Sequence, residues 1–189
     1  MNQDTNIALF GGTFDPIHNG HLTLAEQVCQ LAHIDRVLFV PCRQSPHKTE
    51  RPVATAEQRC AMIELALMPF EEIDLSRVEI EHDTPDFSWQ TAEYFANRFP
   101  TTKLHWIVGT DQWSKIDTWA EPDKLRQLLT FVVAMRNGET IEARPGWKHL
   151  PLIFDHPASA SAIRSGDYDP TWLPEPVAAY IQTHQLYSS

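Results

Sequence analysis

Short apolar runs that alternate with amphipathic segments limit this chain to few folds. Apolar runs at residues 7–10, 36–41 and 103–108 each stop at a glycine or a proline, and similar runs lie at 130–135 and 150–154. Between them, segments such as 57–67 place apolar residues at helical spacing. Strands that alternate with helices of about ten residues build a parallel sheet with helices on both faces. The sequence therefore predicts an α/β fold with a doubly wound parallel sheet.

The remaining segments fit the same alternation. We predict helices at 88–98, with Ser88 as the N-cap, and at 123–129, and a less regular strand at 74–81. Trp113 is expected in the core, and Pro174 and Pro176 suit the first turn of a last helix that runs to about residue 184. The 189 residues are expected to form one domain, 1–189, with a small helical portion from about residue 159.

Composition excludes several classes of protein. With 42% hydrophobic and 21% charged residues the chain is globular, and a formal net charge of -10 argues against a general nucleic-acid binder. Three cysteines without a CxxC pair predict neither disulfides nor a cysteine zinc site. No signal peptide or 18-residue apolar span is evident, so we expect a cytoplasmic protein with no membrane partner.

The loop after the first apolar run has the residues of a phosphate site. Ligands of doubly wound sheets bind beyond the carboxyl ends of the strands. Here Gly11 and Gly12 permit close approach of a ligand, and His18 and His21 can donate hydrogen bonds to phosphate oxygens at a helix start. The loop lacks the GxGxxG and Walker A patterns, and a zinc pair would need a third ligand. Phosphate binding is the favoured interpretation.

The eleven residues 11–21, GGTFDPIHNGH, resemble the signature of the HxGH nucleotidyltransferase superfamily. They are most similar to that of bacterial nicotinate-nucleotide adenylyltransferases. The resemblance implies a Rossmann-like fold and transfer of AMP from ATP, with bound Mg²⁺ as cofactor, to nicotinate mononucleotide. The products would be nicotinate adenine dinucleotide (deamido-NAD) and pyrophosphate, and the pathway NAD biosynthesis.

Later segments extend the resemblance to the ATP side of the site. Residues 109–119 are similar to the GxD…TW segment of that family, and residues 159–164 (SASAIR) to its closing motif. The resemblance implies that His18, His21 and Arg164 are catalytic. It implies the following ATP-binding residues: Gly11, Gly12, Thr13, Phe14, His18, His21, Gly109, Asp111, Ser159, Ser161 and Arg164.

Two further segments resemble parts of that family that bind the acceptor. Residues 41–48 end in the Pro-His-Lys run of the family, and residues 83–91 (DTPDFSWQT) resemble the segment that lies against the nicotinate ring, with Phe87 in place of the usual tyrosine. The implied substrate-binding residues are Lys48, Thr84, Phe87 and Trp119. Trp119 would stack on the pyridine ring. A solvated Lys48 and a capped helix at Ser88 are the ordinary structural alternatives.

Other functions remain open at this point. A related HxGH enzyme could use nicotinamide mononucleotide, phosphopantetheine or CTP, and a protein with this fold could sense nucleotides without catalysis. The intact His18, His21 and Arg164 favour an enzyme. No metal site formed by the protein is expected, because Mg²⁺ would be held largely by phosphates and water. A homo-oligomer is compatible with the sequence.

Overall fold

The structure is a computed structural model that describes residues 5–31, 34–43, 51–81, 87–136 and 138–187. Its centre is one sheet of six parallel strands in the order β3-β2-β1-β4-β5-β6. The strands are β1 (Asn6–Gly12), β2 (Arg36–Pro41), β3 (Ile73–Leu75), β4 (Lys103–Gly109), β5 (Leu129–Met135) and β6 (His149–Ile153). This is the predicted α/β, Rossmann-like fold.

The strand order reverses between β1 and β4. The chain runs outward from β1 to β3, returns to the centre, and runs outward again from β4 to β6. The loops that follow β1 and β4 therefore leave the sheet in opposite directions and open a crevice between them. Gly12, the last residue of β1, and Gly109, the last of β4, both end at this edge of the sheet.

Eight helices connect the described strands or follow them. They are α1 (Asn19–Gln30), α2 (Ala56–Leu67), α3 (Val78–Glu81), α4 (Ser88–Arg98), α5 (Thr110–Trp113), α6 (Pro122–Leu128), α7 (Ala160–Ser165) and α8 (Glu175–Thr183). Single 3-10 turns lie at Ile116–Thr118 and Pro170–Trp172. Among the described helices none is long and apolar enough to cross a membrane.

Apolar side chains form a core on each face of the sheet. Val28 of α1, Met62 of α2 and Val177 of α8 are completely buried on one face. On the other face, Phe95 of α4 and Leu125 of α6 pack in the second core. Burial of both faces explains why the central strands read as continuous apolar runs rather than as alternating ones.

The sequence predictions for the central elements are confirmed, and two local predictions are wrong. Trp113 is only 2% exposed, so it is a core residue as predicted. The strand predicted at 74–81 ends at Leu75, and the one-turn helix α3 follows. The N-cap of α4 is Phe87 rather than Ser88, and the backbone N–H of Phe87 donates a hydrogen bond to Oε1 of Gln90 at 2.8 Å.

Candidate active site

The loop between β1 and α1 is packed too tightly for side chains at its first two glycines. A Cβ atom on Gly11 would lie 2.7 Å from Cζ2 of the buried Trp106 ring. A Cβ atom on Gly12 would lie 2.8 Å from Cζ of Phe14. Phe14 is itself 3% exposed and has a φ of 50°, which is uncommon for a side chain of this size. Packing within the protein therefore requires glycine at both positions.

His18 and His21 lie face to face at the start of α1. Their ring centroids are 3.7 Å apart with an interplanar angle of 19°. The backbone N–H of His18 donates a hydrogen bond to Nδ1 of His21 at 3.3 Å. Because Nδ1 accepts this bond, the proton of a neutral His21 ring is on Nε2. The ring of Phe14 meets His21 edge-on at 5.0 Å and fixes its orientation from the other side.

His18 is buried in an environment that opposes a positive charge. Burial, and to a smaller extent the nearby His156, lower the pKa of His18 from 6.5 to about 4. The side chain is only 6% exposed, and its Nδ1 has no hydrogen-bond partner among the described residues. His18 is therefore a neutral imidazole at pH 7 that can serve as a hydrogen-bond partner for a ligand.

Arg164 of α7 reaches the same loop from the far end of the chain. Its Nη1 donates a hydrogen bond to the backbone carbonyl of Asp15 at 2.7 Å. This bond holds the guanidinium beside the loop that carries the histidines. An arginine fixed in this way presents its remaining N–H groups to a phosphate in a planar array.

The carboxylate of Asp15 joins three segments of the chain. Its oxygens accept the backbone N–H groups of Val53 at 2.8 Å and Ala54 at 3.0 Å, and the hydroxyl of Tyr187 at 2.7 Å. Asp15 is 4% exposed, so these bonds replace the water that the carboxylate loses on folding. Burial and Asp15 also raise the pKa of Tyr187 well above its usual value, so Tyr187 stays a neutral donor.

A second buried group supports the loop from α2. Arg59 is 1% exposed, and its guanidinium donates to the carbonyl of Thr13 at 2.6 Å and to that of Arg43 at 3.2 Å. Thr13 follows β1 and Arg43 follows β2. Arg59 therefore fixes the spacing of the two loops that leave neighbouring strands.

These loops and α7 enclose one cleft of about 210 Å³. Four of its lining residues, Thr13, His21, Arg51 and Arg164, have side chains that can donate hydrogen bonds to an anion. The only acidic side chain among its described lining residues is Asp15, whose oxygens already accept the three bonds above. The remaining lining residues are Phe10, Gly11, Gly12, Phe14, Pro52, Val53 and Ala160. The cleft is suited to a phosphate-bearing ligand.

Comparison with known proteins agrees with this geometry. The profile of the cytidylyltransferase-like family matches residues 9–166. A probable nicotinate-nucleotide adenylyltransferase of Methylacidiphilum infernorum is 36% identical over 186 residues, which cover 96% of this chain and 91% of the relative. One of Thermus thermophilus is also 36% identical, with 96% and 98% covered. The chain belongs to the nicotinate-nucleotide adenylyltransferase family. The resemblance read from the sequence is thus confirmed.

Solved structures show the same fold at lower sequence identity. The nicotinic acid mononucleotide adenylyltransferase of Plasmodium falciparum, complexed with NaAD, has a TM-score of 0.78 and 19% identity, and the alignment covers 97% of both chains. A putative nicotinate-nucleotide adenylyltransferase from Vibrio parahaemolyticus has a TM-score of 0.67 and 20% identity over 97% of this chain and 95% of its own. Almost the whole chain therefore follows the architecture of this family.

The structure gathers most residues that the sequence predicted for the phosphates of ATP. The backbone from Gly11 to Phe14 lines the cleft together with His21 and Arg164, and His18 stacks on His21. Ser159 and Ser161 lie at the start of α7, where their hydroxyls are 2.7 Å apart, and Ala160 between them lines the cleft. Gly109, the last residue of β4, and Asp111 of α5 lie at the same edge of the sheet, outside the described lining of the cleft.

Of the residues predicted to bind the acceptor, only Phe87 and Trp119 lie within the described residues. Phe87 is 44% exposed at the start of α4, so its ring is accessible. Trp119 is 9% exposed and lies in the second core, with its ring centroid 6.4 Å from those of Trp106 and Phe131. Stacking of Trp119 on a pyridine stays a prediction. Lys48 and Thr84 lie outside the described residues.

The contacts of several residues of the site could not be read from the sequence alone. Asp15 lies inside the recognised motif, yet its role as an anchor depends on Tyr187, 172 positions later. Arg59 looks like a polar residue on the outer side of α2, and Arg51 like a surface residue. Only the folded arrangement brings Arg51 to the cleft and Arg59 beneath it.

Proposed function

We propose that this protein transfers the AMP part of ATP to nicotinate mononucleotide and forms nicotinate adenine dinucleotide and pyrophosphate. One observation carries the proposal: His21 and Arg164, which come from opposite ends of the chain, line a single cleft with the glycine loop. The names of the relatives supply the acceptor, because each of those quoted above is a probable nicotinate-nucleotide adenylyltransferase.

The reaction is a displacement at the α-phosphorus of ATP. An oxygen of the 5′-phosphate of nicotinate mononucleotide forms a bond to that phosphorus. The bond to the oxygen that bridges the α- and β-phosphates breaks, and pyrophosphate leaves with the electron pair. Phosphoryl and nucleotidyl transfers of this kind depend on positioning and on stabilisation of charge more than on covalent help from the protein.

The described residues supply both requirements. The Gly11 and Gly12 backbone lets the phosphates approach β1, and the start of α1 offers N–H groups and a positive dipole end. His18, His21 and Arg164 donate hydrogen bonds to phosphate oxygens while charge moves to the leaving pyrophosphate. Removal of one such donor typically costs about 3–4 kcal/mol of transition-state stabilisation.

Magnesium enters the proposal as part of the substrate, bound to ATP. Mg²⁺ prefers oxygen ligands and keeps several waters beside phosphate groups. Asp15, the acidic residue that lines the cleft, is already bonded to Val53, Ala54 and Tyr187. We therefore propose that phosphate and water oxygens hold the ion.

The ends of the two nucleotides are proposed to lie on either side of the phosphates. Gly109 and Asp111 border the adenosine half, and Ser159 and Ser161 the ATP phosphates. On the acceptor side, the exposed Phe87 ring is available for the pyridine. Lys48, Thr84 and Trp119 stay assigned to the acceptor from the sequence. A cytoplasmic location also stays a prediction from the sequence, which is compatible with a homo-oligomer.

A panel of acceptors tests the proposal. Purified protein with Mg-ATP is given nicotinate mononucleotide, nicotinamide mononucleotide or phosphopantetheine, and pyrophosphate release is measured. We expect the highest kcat/KM with nicotinate mononucleotide and formation of its dinucleotide. A preference for the amide or for phosphopantetheine would assign another acceptor. Tight ATP binding without pyrophosphate release under any acceptor would indicate a nucleotide sensor.

A further inference from the structure

Arg51 brings a second arginine to the cleft. It lies in the segment that follows β2 and leads to α2, and it lines the cleft together with its neighbours Pro52 and Val53. Arg164 lines the same cleft from α7, and His21 lines it from α1. Three parts of the chain that are distant in sequence thus place hydrogen-bond donors around one space. The proposed reaction uses His21 and Arg164 and leaves Arg51 without a role.

The backbone beside Arg51 is held against the glycine loop. Two residues after Arg51, the N–H of Val53 donates to one carboxylate oxygen of Asp15 at 2.8 Å, and the N–H of Ala54 donates to the other at 3.0 Å. The next residue, Thr55, caps α2 through its hydroxyl. Consecutive Cα atoms are about 3.8 Å apart, so the Cα of Arg51 lies within about 8 Å of that of Val53. The bonds to Asp15 therefore keep the backbone of Arg51 at the cleft.

The side chain of Arg51 has no competing partner among the residues that the structure describes. Several other arginines form ion pairs with carboxylates, namely Arg36, Arg77, Arg126 and Arg144. Arg51 is exposed and forms no side-chain hydrogen bond or ion pair with a described residue. Asp15, the acidic residue in the described lining, already accepts three hydrogen bonds. The Arg51 guanidinium is thus available to an anion that enters the cleft.

We propose that Arg51 is a further substrate-binding residue, whose guanidinium donates charge-assisted hydrogen bonds to phosphate oxygens in the cleft. The inference rests on the proposed function. A guanidinium suits this role because its N–H donors lie in one plane, and hydrogen bonds between opposite charges are stronger than neutral ones. The shared chemistry is a phosphate oxygen, which either ATP or the mononucleotide can supply.

Two substitutions at position 51 test the guanidinium without disturbing the loop. Arg51→Ala removes the charge and the donors, and Arg51→Lys keeps a positive charge and an N–H donor but loses the planar array. Both leave the backbone bonds from Val53 and Ala54 to Asp15 in place, so their urea denaturation curves should superimpose on that of the wild type. The control is Arg98→Ala. Arg98 is exposed at the end of α4, from which the chain enters β4 at the sheet edge opposite the cleft.

The experiment measures the Kd of Mg-ATP, of inorganic pyrophosphate and of nicotinate mononucleotide by calorimetry. Arg51→Ala should weaken the binding of Mg-ATP or of the mononucleotide by about tenfold or more, the loss of one hydrogen bond to a charged group. Arg51→Lys should recover part of this loss. Arg98→Ala should stay within about twofold of the wild type, because the length of β4, about 20 Å, exceeds the screening length of about 8 Å. A larger change for Mg-ATP and pyrophosphate assigns the contact to ATP, and a larger change for the mononucleotide assigns it to the acceptor.

Unchanged Kd values for all three ligands in Arg51→Ala would overturn the proposal. A loss no larger than that of Arg98→Ala would assign the effect to overall charge and would overturn it as well. No recovery in Arg51→Lys would contradict a charged donor at this position. The Kd values of Mg-ATP and pyrophosphate need no acceptor, so they judge the inference even if nicotinate mononucleotide proves to be the wrong substrate. Conversely, turnover of nicotinate mononucleotide with unchanged Kd values in Arg51→Ala would leave the proposed function intact and remove only the inference.

Discussion

The hydroxyl of Tyr187 is predicted to stabilise the active-site loop from the far end of the chain. It donates a 2.7 Å hydrogen bond to Oδ1 of Asp15, which is 4% exposed. The substitution Tyr187→Phe removes this donor and keeps the ring. Asp15 then retains the backbone N–H groups of Val53 and Ala54, but one lone pair of a buried carboxylate loses its partner.

The size of the effect follows from the charge and burial of Asp15. A hydrogen bond to a charged group contributes about 1.5–3 kcal/mol, and a buried carboxylate has no water to replace it. We therefore expect Tyr187→Phe to lower the free energy of unfolding by about 1.5–3 kcal/mol. For a chain of this length each kcal/mol lowers Tm by about 2–4 °C, so the decrease should be about 3–12 °C.

Urea denaturation and calorimetry measure this change directly. The control is Tyr94→Phe, because Tyr94 lies on α4 and is 45% exposed. The Tyr94→Phe substitution should change the free energy of unfolding by no more than about 0.5 kcal/mol. The KM for ATP should also rise in Tyr187→Phe, because Asp15 holds Arg164 through its carbonyl. A decrease in stability no larger than that of the control would refute the assigned role of the Tyr187 hydroxyl.

Three further predictions follow from the same contacts. Gly11→Ala should lower the free energy of unfolding by about 1–3 kcal/mol in urea denaturation, because its Cβ would lie 2.7 Å from the buried Trp106 ring. Arg59→Met should cost about 1–3 kcal/mol, because two loop carbonyls lose their donor, and should raise the KM for ATP. The pKa of His18 is about 4 when folded and 6.5 when unfolded, so the contribution of this group to stability should be constant above pH 6.5 and decrease as the pH falls from 6.5 to 4. The decrease from this group is about 3 kcal/mol, and it should be absent in His18→Asn, measured by urea denaturation across that pH range.

Apolar runs were sufficient to locate the central strands. The run at Arg36–Pro41 has the predicted ends, because proline and burial on both faces leave little choice there. The prediction failed at Val78 and Ile80, which are spaced for a strand but lie in the one-turn helix α3. Glu79 explains the difference: its carboxylate is buried and accepts the Thr91 hydroxyl at 2.6 Å, a contact that local periodicity does not contain.

The active site, too, could be predicted only in part from the sequence. The glycine loop with His18 and His21 is contiguous, so its chemistry could be read from the sequence. His156 and Tyr187 could not be placed there, because only the return of the chain through β6 and α8 brings them to the loop. Local sequence thus indicates the phosphate site, and long-range contacts determine how rigidly it is held.

The most direct test of the account is the single-turnover rate of AMP transfer in the His18→Ala variant. Wild type and variant are mixed with Mg-ATP and nicotinate mononucleotide with enzyme in excess, and urea denaturation confirms that the variant is folded. The account predicts a rate at least about a hundredfold lower, since one donor to the shifting phosphate charge is lost. A folded variant that transfers AMP at nearly the wild-type rate would contradict the central role of His18.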